Sequence, residues 1–252
     1  DFKILNAAFK WSTDLNISFP KNKLVSYPSL ANSPYANTYE VGKSLYLDRG
    51  FEYVGVDPQT GLYIFVDQNK DDRISAPADR VGRKVRSQQY FGGLGNNFSF
   101  RNWSLGIFIQ FAKQTGYDYL SSFIMPGQAY YWLGNQPVEV LNRWKRPGDI
   151  TDIQKFSQGF DDAYSAFDMN TYSSDHTIQN TSFARLKNIY LSYQLSEKLL
   201  KRMKIENINF FILGQNLFTV SAYKGLDPQA NSSGSLTLPS LRIITGGFNI
   251  TL

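Results

Sequence analysis

From Phe9 to Phe19 the odd positions read Phe9, Trp11, Thr13, Leu15, Ile17 and Phe19, and the even ones Lys10, Ser12, Asp14, Asn16 and Ser18. An unbroken period of two dictates an extended strand with one apolar and one polar face. Its length constrains the fold further. Ordinary globular strands run about 5–6 residues, whereas a strand that crosses a bilayer at a tilt needs about 9–11. The pattern recurs in Trp103–Phe111, where Phe108 breaks the polar face, and in Ile244–Leu252. Three less regular strands are expected at Gln89–Phe100, Phe183–Leu195 and Asn207–Leu217. In the second, simple alternation puts Arg185 and Lys187 on one face with Ile189, Leu191 and Tyr193, as a charged collar above an apolar belt. In the third, Phe211 and Leu213 blur the alternation.

The connections between these strands carry as much information as the strands. In order they are Pro20–Gln88, Arg101–Asn102, Ala112–Ser182, Ser196–Asn207 and Phe218–Arg242, which is long, short, long, short, long. In an antiparallel meander alternate connections lie at opposite ends, so every long loop falls on one side. Outer-membrane barrels have this asymmetry, with long extracellular loops and short periplasmic turns. The expected fold class is therefore all-β, with the strands forming part of a large barrel. Six strands are too few to close one, since the smallest such barrels have about eight and an open edge in lipid is not tolerated. The expectation is a C-terminal part of a larger barrel, or a chain completed by another.

Composition agrees and removes other classes. The 252 residues include 42% apolar and 15% aromatic residues, no cysteine, and a net charge of +5 spread along the chain. That excludes disorder, thiol catalysis, thiolate zinc sites and a disulfide scaffold, and is too weak to imply nucleic acid. No apolar run reaches the roughly 18 residues of a membrane helix.

Several stretches resemble SusC/RagA-type TonB-dependent outer-membrane transporters of Bacteroidetes. They include Asn16-Ile17-Ser18-Phe19-Pro20, Gly55-Val56-Asp57-Pro58-Gln59-Thr60-Gly61, Tyr90-Phe91-Gly92-Gly93-Leu94-Gly95-Asn96-Asn97 and Asn142-Arg143-Trp144-Lys145-Arg146-Pro147-Gly148-Asp149. The run Ser182-Phe183-Ala184-Arg185-Leu186-Lys187-Asn188-Ile189-Tyr190-Leu191-Ser192-Tyr193 is the most specific, followed by Gly214-Gln215-Asn216-Leu217-Phe218 and Tyr223-Lys224-Gly225-Leu226-Asp227-Pro228. The resemblance implies that residues 1–252 are the C-terminal part of a barrel of about 22 strands with a plugged lumen. It implies active import of glycans or peptides across the bacterial outer membrane, energised through TonB, with a SusD-like surface lipoprotein as partner. The plug domain and the TonB-coupling segment are not found in this sequence. A soluble extracellular glycan-binding β-sandwich is the alternative, and a glycan hydrolase the least supported class.

Candidate chemistry is sparse. Asp67-Gln68-Asn69-Lys70-Asp71-Asp72-Arg73 follows the D-x-N-x-D spacing of a calcium loop. Asp67, Asn69 and Asp71 would supply side-chain oxygens, Arg73 a main-chain carbonyl and Asp79 the closing carboxylate. Asp72 stands where the sharp turn wants glycine, and Asp79 falls one position late, so a solvated acidic turn is the competing reading. Tyr117, Tyr119, Tyr130, Tyr131, Trp132 and Trp144 are candidates for stacking on sugar rings or lining a peptide path, or for packing within their loop. The lone His176 is expected at the surface, and the adjacent Asp161 and Asp162 point apart and cannot flank one glycosidic bond. Gly92, Gly93 and Gly95 are read as small residues beside aromatics, not as a phosphate loop. Ser196–Glu206 is expected to form a short helix capped by Ser196, with Leu199, Leu200 and Met203 on one face. No catalytic residue is expected.

Overall fold

The computed structural model describes residues 2–5, 8–118, 136–157, 159–229 and 238–252. Its frame is an antiparallel meander of β1 (Phe2–Leu5), β2 (Phe9–Ser18), β7 (Gln88–Phe100), β8 (Trp103–Tyr117), β10 (Phe183–Gln194), β11 (Asn207–Ser221) and β12 (Ile243–Thr251), paired in that order. The six expected strands are all present, several longer than their apolar runs because their ends extend into the loops. Strand β1 was not anticipated. It pairs with β2 from Phe2 opposite Thr13 to Leu5 opposite Lys10. A short strand, β9 (Ile178–Asn180), pairs with the far end of β8.

All long connections lie at one end, as the alternation of their lengths requires. At the other end are Arg101–Asn102 and the β10–β11 connection with helix α2 (Glu197–Met203). The long-loop end carries two small hairpin pairings, β3 (Leu47–Gly50) with β6 (Gly82–Val85) and β4 (Tyr53–Val56) with β5 (Tyr63–Phe65). Helix α1 (Asp162–Ser173) packs with them. Most of the buried apolar residues gather there, including Phe51, Tyr63, Val140, Ala163, Ala166 and Phe167. Among the described residues nothing forms a second layer over the sheet. A soluble sandwich would bury one sheet face against another, so the main core lies in a cap of loops beyond a single-layered wall.

One element departs from the alternation. Between Leu186 and Asn188 the pairing of β10 with β8 skips Lys187, so that Leu186 faces Ile109 while Asn188 faces Phe108. The β11 side carries its own irregularity, since Leu186 pairs with Phe218 and Asn188 with Gln215, and Asn216 adopts φ 52°. An extra residue reverses the parity of everything beyond it. Arg185 therefore shares its face with Gln110 and Thr219, opposite to Ile189, Leu191 and Tyr193. The expected charged collar does not form, because the bulge turns Arg185 to the polar side.

Candidate functional site

Register places side chains on faces, since paired residues in an antiparallel ladder project to the same side. One row, crossing six strands, is aromatic throughout: Phe9, Phe100, Trp103, Tyr193, Phe210 and Phe248. The next row on this face holds Trp11, Phe98, Leu105, Leu191, Ile212 and Gly246. Trp103 and Tyr193 rings lie 4.7 Å apart and Trp11 stacks on Phe98 at 5.8 Å. Ile107, Ile189 and Ile244 follow, then Leu94, Ile109 and Leu186, then Ile17, Phe111 and Val220. Near the long-loop end Tyr90 contacts Phe19 at 5.8 Å and Phe111 at 6.4 Å. Asn96, the one amide in this belt, accepts a hydrogen bond from the Trp11 indole N–H at 3.2 Å. The face is uncovered: Leu15 is 65% exposed, Ile212 55% and Phe248 62%. From Trp103 to Phe111 it spans nine residues, the length with which a tilted strand crosses a hydrocarbon core, about 9–11.

The opposite face is polar. It presents Lys10, Ser12, Asp14 and Asn16 on β2, Ser104 and Gln110 on β8, Asn188 and Ser192 on β10, and Thr245, Asn249 and Thr251 on β12. The aromatic exceptions have a packing reason. A Cβ on Gly93 would lie 2.6 Å from the Phe108 ring, and one on Gly247 would lie 2.7 Å from Phe211. The Phe108 and Phe211 rings thus each lie over a glycine of the neighbouring strand. Asp14 covers Gly95 in the same way, which accounts for the glycine-rich run in β7 as the sequence suggested.

Near the long-loop end this inner face carries a buried ion pair. The Arg185 guanidinium donates to Asp227 Oδ1 at 2.7 Å, to Thr219 Oγ1 at 3.0 Å and to Gln229 Oε1 at 3.2 Å, and both charged side chains are 4% exposed. Gln114 of β8 donates its side-chain amide to the Pro228 carbonyl at 2.8 Å. The last long loop is thus tied to strands β8, β10 and β11 at its first turn. A cleft of about 480 Å³ adjoins it, lined in part by Arg185, Phe218, Tyr223, Leu241 and Arg242.

The first two long loops clamp each other. The Trp144 indole N–H donates to the Pro58 carbonyl at 2.9 Å, Gly148 N–H donates to the same oxygen at 2.8 Å, and Lys155 N–H donates to Gly61 O at 2.8 Å. Gly61 has φ +72°, and a Cβ there would lie 2.4 Å from the Trp144 ring. Gly61→Ala should therefore open this clamp at a local cost of about 2 kcal/mol, from left-handed backbone and ring displacement together. Faster amide exchange over residues 57–63 and 144–155 in the full-length protein is the expected readout, and unchanged exchange would contradict it.

His176 is not the surface residue expected. Its ring centroid lies 4.0 Å from Tyr53 and 6.4 Å from Tyr63, and the next residue back, Asp175, accepts the Tyr53 N–H at 3.0 Å. Burial lowers the His176 pKa; Asp152 and Asp175 oppose this, and Lys84 reinforces it. Burial, with Asp152, also pushes Tyr53 up to about 12. A base whose folded pKa is depressed contributes stability above its unfolded pKa, about 6.5. That contribution is lost as pH falls below it. The cap should become more protease-sensitive between pH 7 and 5, and His176→Phe should remove that step.

The expected site residues have different fates. Tyr119, Tyr130, Tyr131 and Trp132 lie outside the described residues. Trp144 is committed on one side to Gly61 and Pro58, as above. Tyr117, at the end of β8, lies under the Arg86 guanidinium at 4.4 Å, and Arg86 pairs with Asp48 at 2.5 Å. In the acidic loop the carboxylates accept main-chain donors. Asp67 takes Lys70 N–H at 2.7 Å and Asp72 N–H at 2.8 Å, and Asp71 takes Arg73 N–H at 2.9 Å. Lys70 and Asp72 adopt positive φ to permit this. Asp79 accepts Gln68 N–H and Ser75 N–H, both at 2.8 Å, which fastens the two ends of the loop and lowers its pKa. Among the described residues no cluster of three acidic or histidine side chains is placed to hold a metal ion. Asp161, the other acidic candidate, caps helix α1 by accepting Tyr164 N–H at 3.0 Å.

No family model matches the chain. It is 24% identical, over 286 aligned positions, to a TonB-dependent receptor, P3, of Formosa agariphila, an alignment covering 98% of this chain and 27% of the receptor. Its fold is similar to that of the RagAB peptide importer in its open-open state, with a TM-score of 0.74, 21% identity, and coverage of 99% of this chain and 27% of that one. The RagAB peptide transporter gives the same TM-score at 23% identity. The chain thus spans little more than a quarter of the length of these relatives. Their names describe receptors and importers, in line with the expectation that no catalysis resides here. The all-β, barrel-type fold and the resemblance read from the sequence both hold.

Proposed function

We propose that this chain, a barrel segment similar in sequence to a TonB-dependent receptor and in fold to the RagAB importer, is the C-terminal portion of an active transporter in a bacterial outer membrane. The whole protein would import peptides or oligosaccharides, draw energy through TonB and work with a SusD-like surface lipoprotein. The observation that carries the reading is the single-layered sheet itself. One face is apolar, exposed and edged by an aromatic row; the other is polar; and every long loop leaves from the same end. Apolar surface of this extent is not left to water in a soluble monomer. In an outer-membrane barrel the outward band is apolar and flanked by aromatic girdles, and the inward residues are polar. The soluble β-sandwich alternative needs a covering layer, which the described residues lack.

The open edges of β1 and β12 support the same reading, since the pairing there must be completed by the rest of the barrel. Arg185, Asp227 and the loop clamp would then shape the extracellular mouth. The aromatic residues of the second long loop, Tyr117 to Trp144, remain candidates for the substrate path. The experiment is uptake of labelled oligopeptides and of labelled oligosaccharides by cells carrying or lacking the full-length protein. Loss of one class on deletion, with the same loss on dissipating the proton gradient, is expected. Undiminished uptake of both classes would overturn the reading.

A further inference from the structure

At the short-turn end the β10–β11 connection is unusually charged for its length. Lys198, Lys201, Arg202 and Lys204 are exposed against Glu197 and Glu206, and only Lys201 is paired, with Glu197 at 3.8 Å. Arg101 lies on the same rim, in the β7–β8 turn. Helix α2 buries Leu200 alone, while Leu199 and Met203, one turn apart, are 46% and 52% exposed. The expected single apolar face is therefore split, one residue inward and two outward.

The position of the helix gives those outward residues a meaning. Ile208 has the register of the apolar face, opposite Ile250 and two residues before Phe210, yet it is 6% exposed while Phe210 is 47% exposed. The Leu195 N–H donates to Ile208 O at 2.9 Å and the Ile205 N–H to Leu200 O at 3.2 Å, so the connection folds tightly at this point. Ile208 and Leu200 are both buried at this end, and the helix sits in the connection between Gln194 and Asn207, the strand ends that carry Tyr193 and Phe210 of the aromatic row.

We infer that α2 is an interfacial helix that docks on the inner-leaflet surface of the outer membrane, with Leu199 and Met203 entering the acyl boundary and Lys198, Lys201, Arg202 and Lys204 gathering anionic phospholipid headgroups. This rests on the reading of the apolar face as lipid-facing, and continues that surface beyond the strands. Helices with an apolar face and a polar face rich in lysine and arginine lie in the plane of a membrane interface. A cation near an anionic surface contributes roughly fivefold in binding, and the contribution is screened by salt. Glu197 discounts Lys201, which leaves three fully available cations.

The test uses the full-length transporter in detergent with phosphatidylglycerol and phosphatidylcholine added in equal amounts, the retained lipids being counted by native mass spectrometry. The wild type should retain phosphatidylglycerol preferentially. K198Q/K201Q/R202Q/K204Q should lower that preference at least about fivefold, and raising the salt should mimic the variant. K198R/K201R/K204R should keep the preference. Equal retention of the two lipids by the wild type, or an unchanged preference in the Gln variant, would overturn the inference. Heat-modifiable migration of both proteins, the mark of an intact barrel, separates that failure from failure of the lipid-facing reading. A wild type that is monodisperse without detergent would overturn both.

Discussion

Arginine at Ile107 is expected to cost the folded, bilayer-inserted protein about 2–4 kcal/mol, and arginine at Asn97 much less. The two positions are separated by one residue in depth. Ile107 pairs with Asn96 and Ile189 on the apolar face, and Asn97 pairs with Gly106 on the polar face, where it is exposed. Depth is thus held nearly constant while the face changes. A guanidinium at Ile107 must leave water for hydrocarbon or distort the bilayer to avoid it. At Asn97 it projects into a wall of Ser12, Ser104 and other polar groups. Urea titrations of the full-length protein in vesicles measure the difference. Equal costs at the two positions would mean that the apolar face meets protein or water.

Removing Asp227 should be the most damaging single change in the loops. Asp227→Ala leaves the Arg185 guanidinium at 4% exposure with its charge uncompensated, and breaking a buried pair from one side costs about 3–5 kcal/mol. The double substitution R185L/D227L should recover most of that loss, because apolar replacement of a buried pair is often close to neutral. A surface pair, as alternation alone would have placed Arg185, is worth about 1 kcal/mol or less. Amide exchange of residues 219–229 reads the local opening. Fast exchange in the single variant and near-normal exchange in the double one is the expected pattern; little change in Asp227→Ala would show the pair to be solvent-screened.

Strands and their faces were legible because one physical rule acts on every residue of a single-layered wall: what faces outward is apolar and what faces inward is polar. Phe9 to Ser18 and Ile244 to Thr251 follow it without help from tertiary contacts. Misreadings occur where a local insertion or a packing contact competes with that rule. Lys187 adds one residue to β10, and no periodicity reveals which of Arg185 or Ile189 keeps the original face. Phe108 and Phe211 look like errors of alternation until Gly93 and Gly247 are seen beneath them; a glycine on the neighbouring strand was the available clue.

The loop cap was the least legible part. Its core joins Tyr63 to Ala166 and Phe167, residues far apart in the chain, and such pairings leave no local period. Helix α1 did leave a signal, in the capping Asp161 followed by Ala163, Ala166 and Phe167 at helical spacing. The acidic loop shows the converse. Its D-x-N-x-D spacing is also the spacing that lets carboxylates and an amide satisfy their own main-chain N–H groups, as Asp67 and Asp71 do. Spacing alone does not separate a cation site from a self-capped turn.

The direct test of the lipid-facing wall is the accessibility of nitroxide labels placed singly at positions 104 to 110 in the full-length protein, freed of other cysteines and reconstituted in a bilayer. Labels at 105, 107 and 109 should collide with dissolved oxygen and be shielded from a water-soluble nickel chelate. Those at 104, 106 and 110 should show little oxygen collision, giving a period of two along β8. Flat accessibility, or an alternation of the opposite phase, would contradict the account.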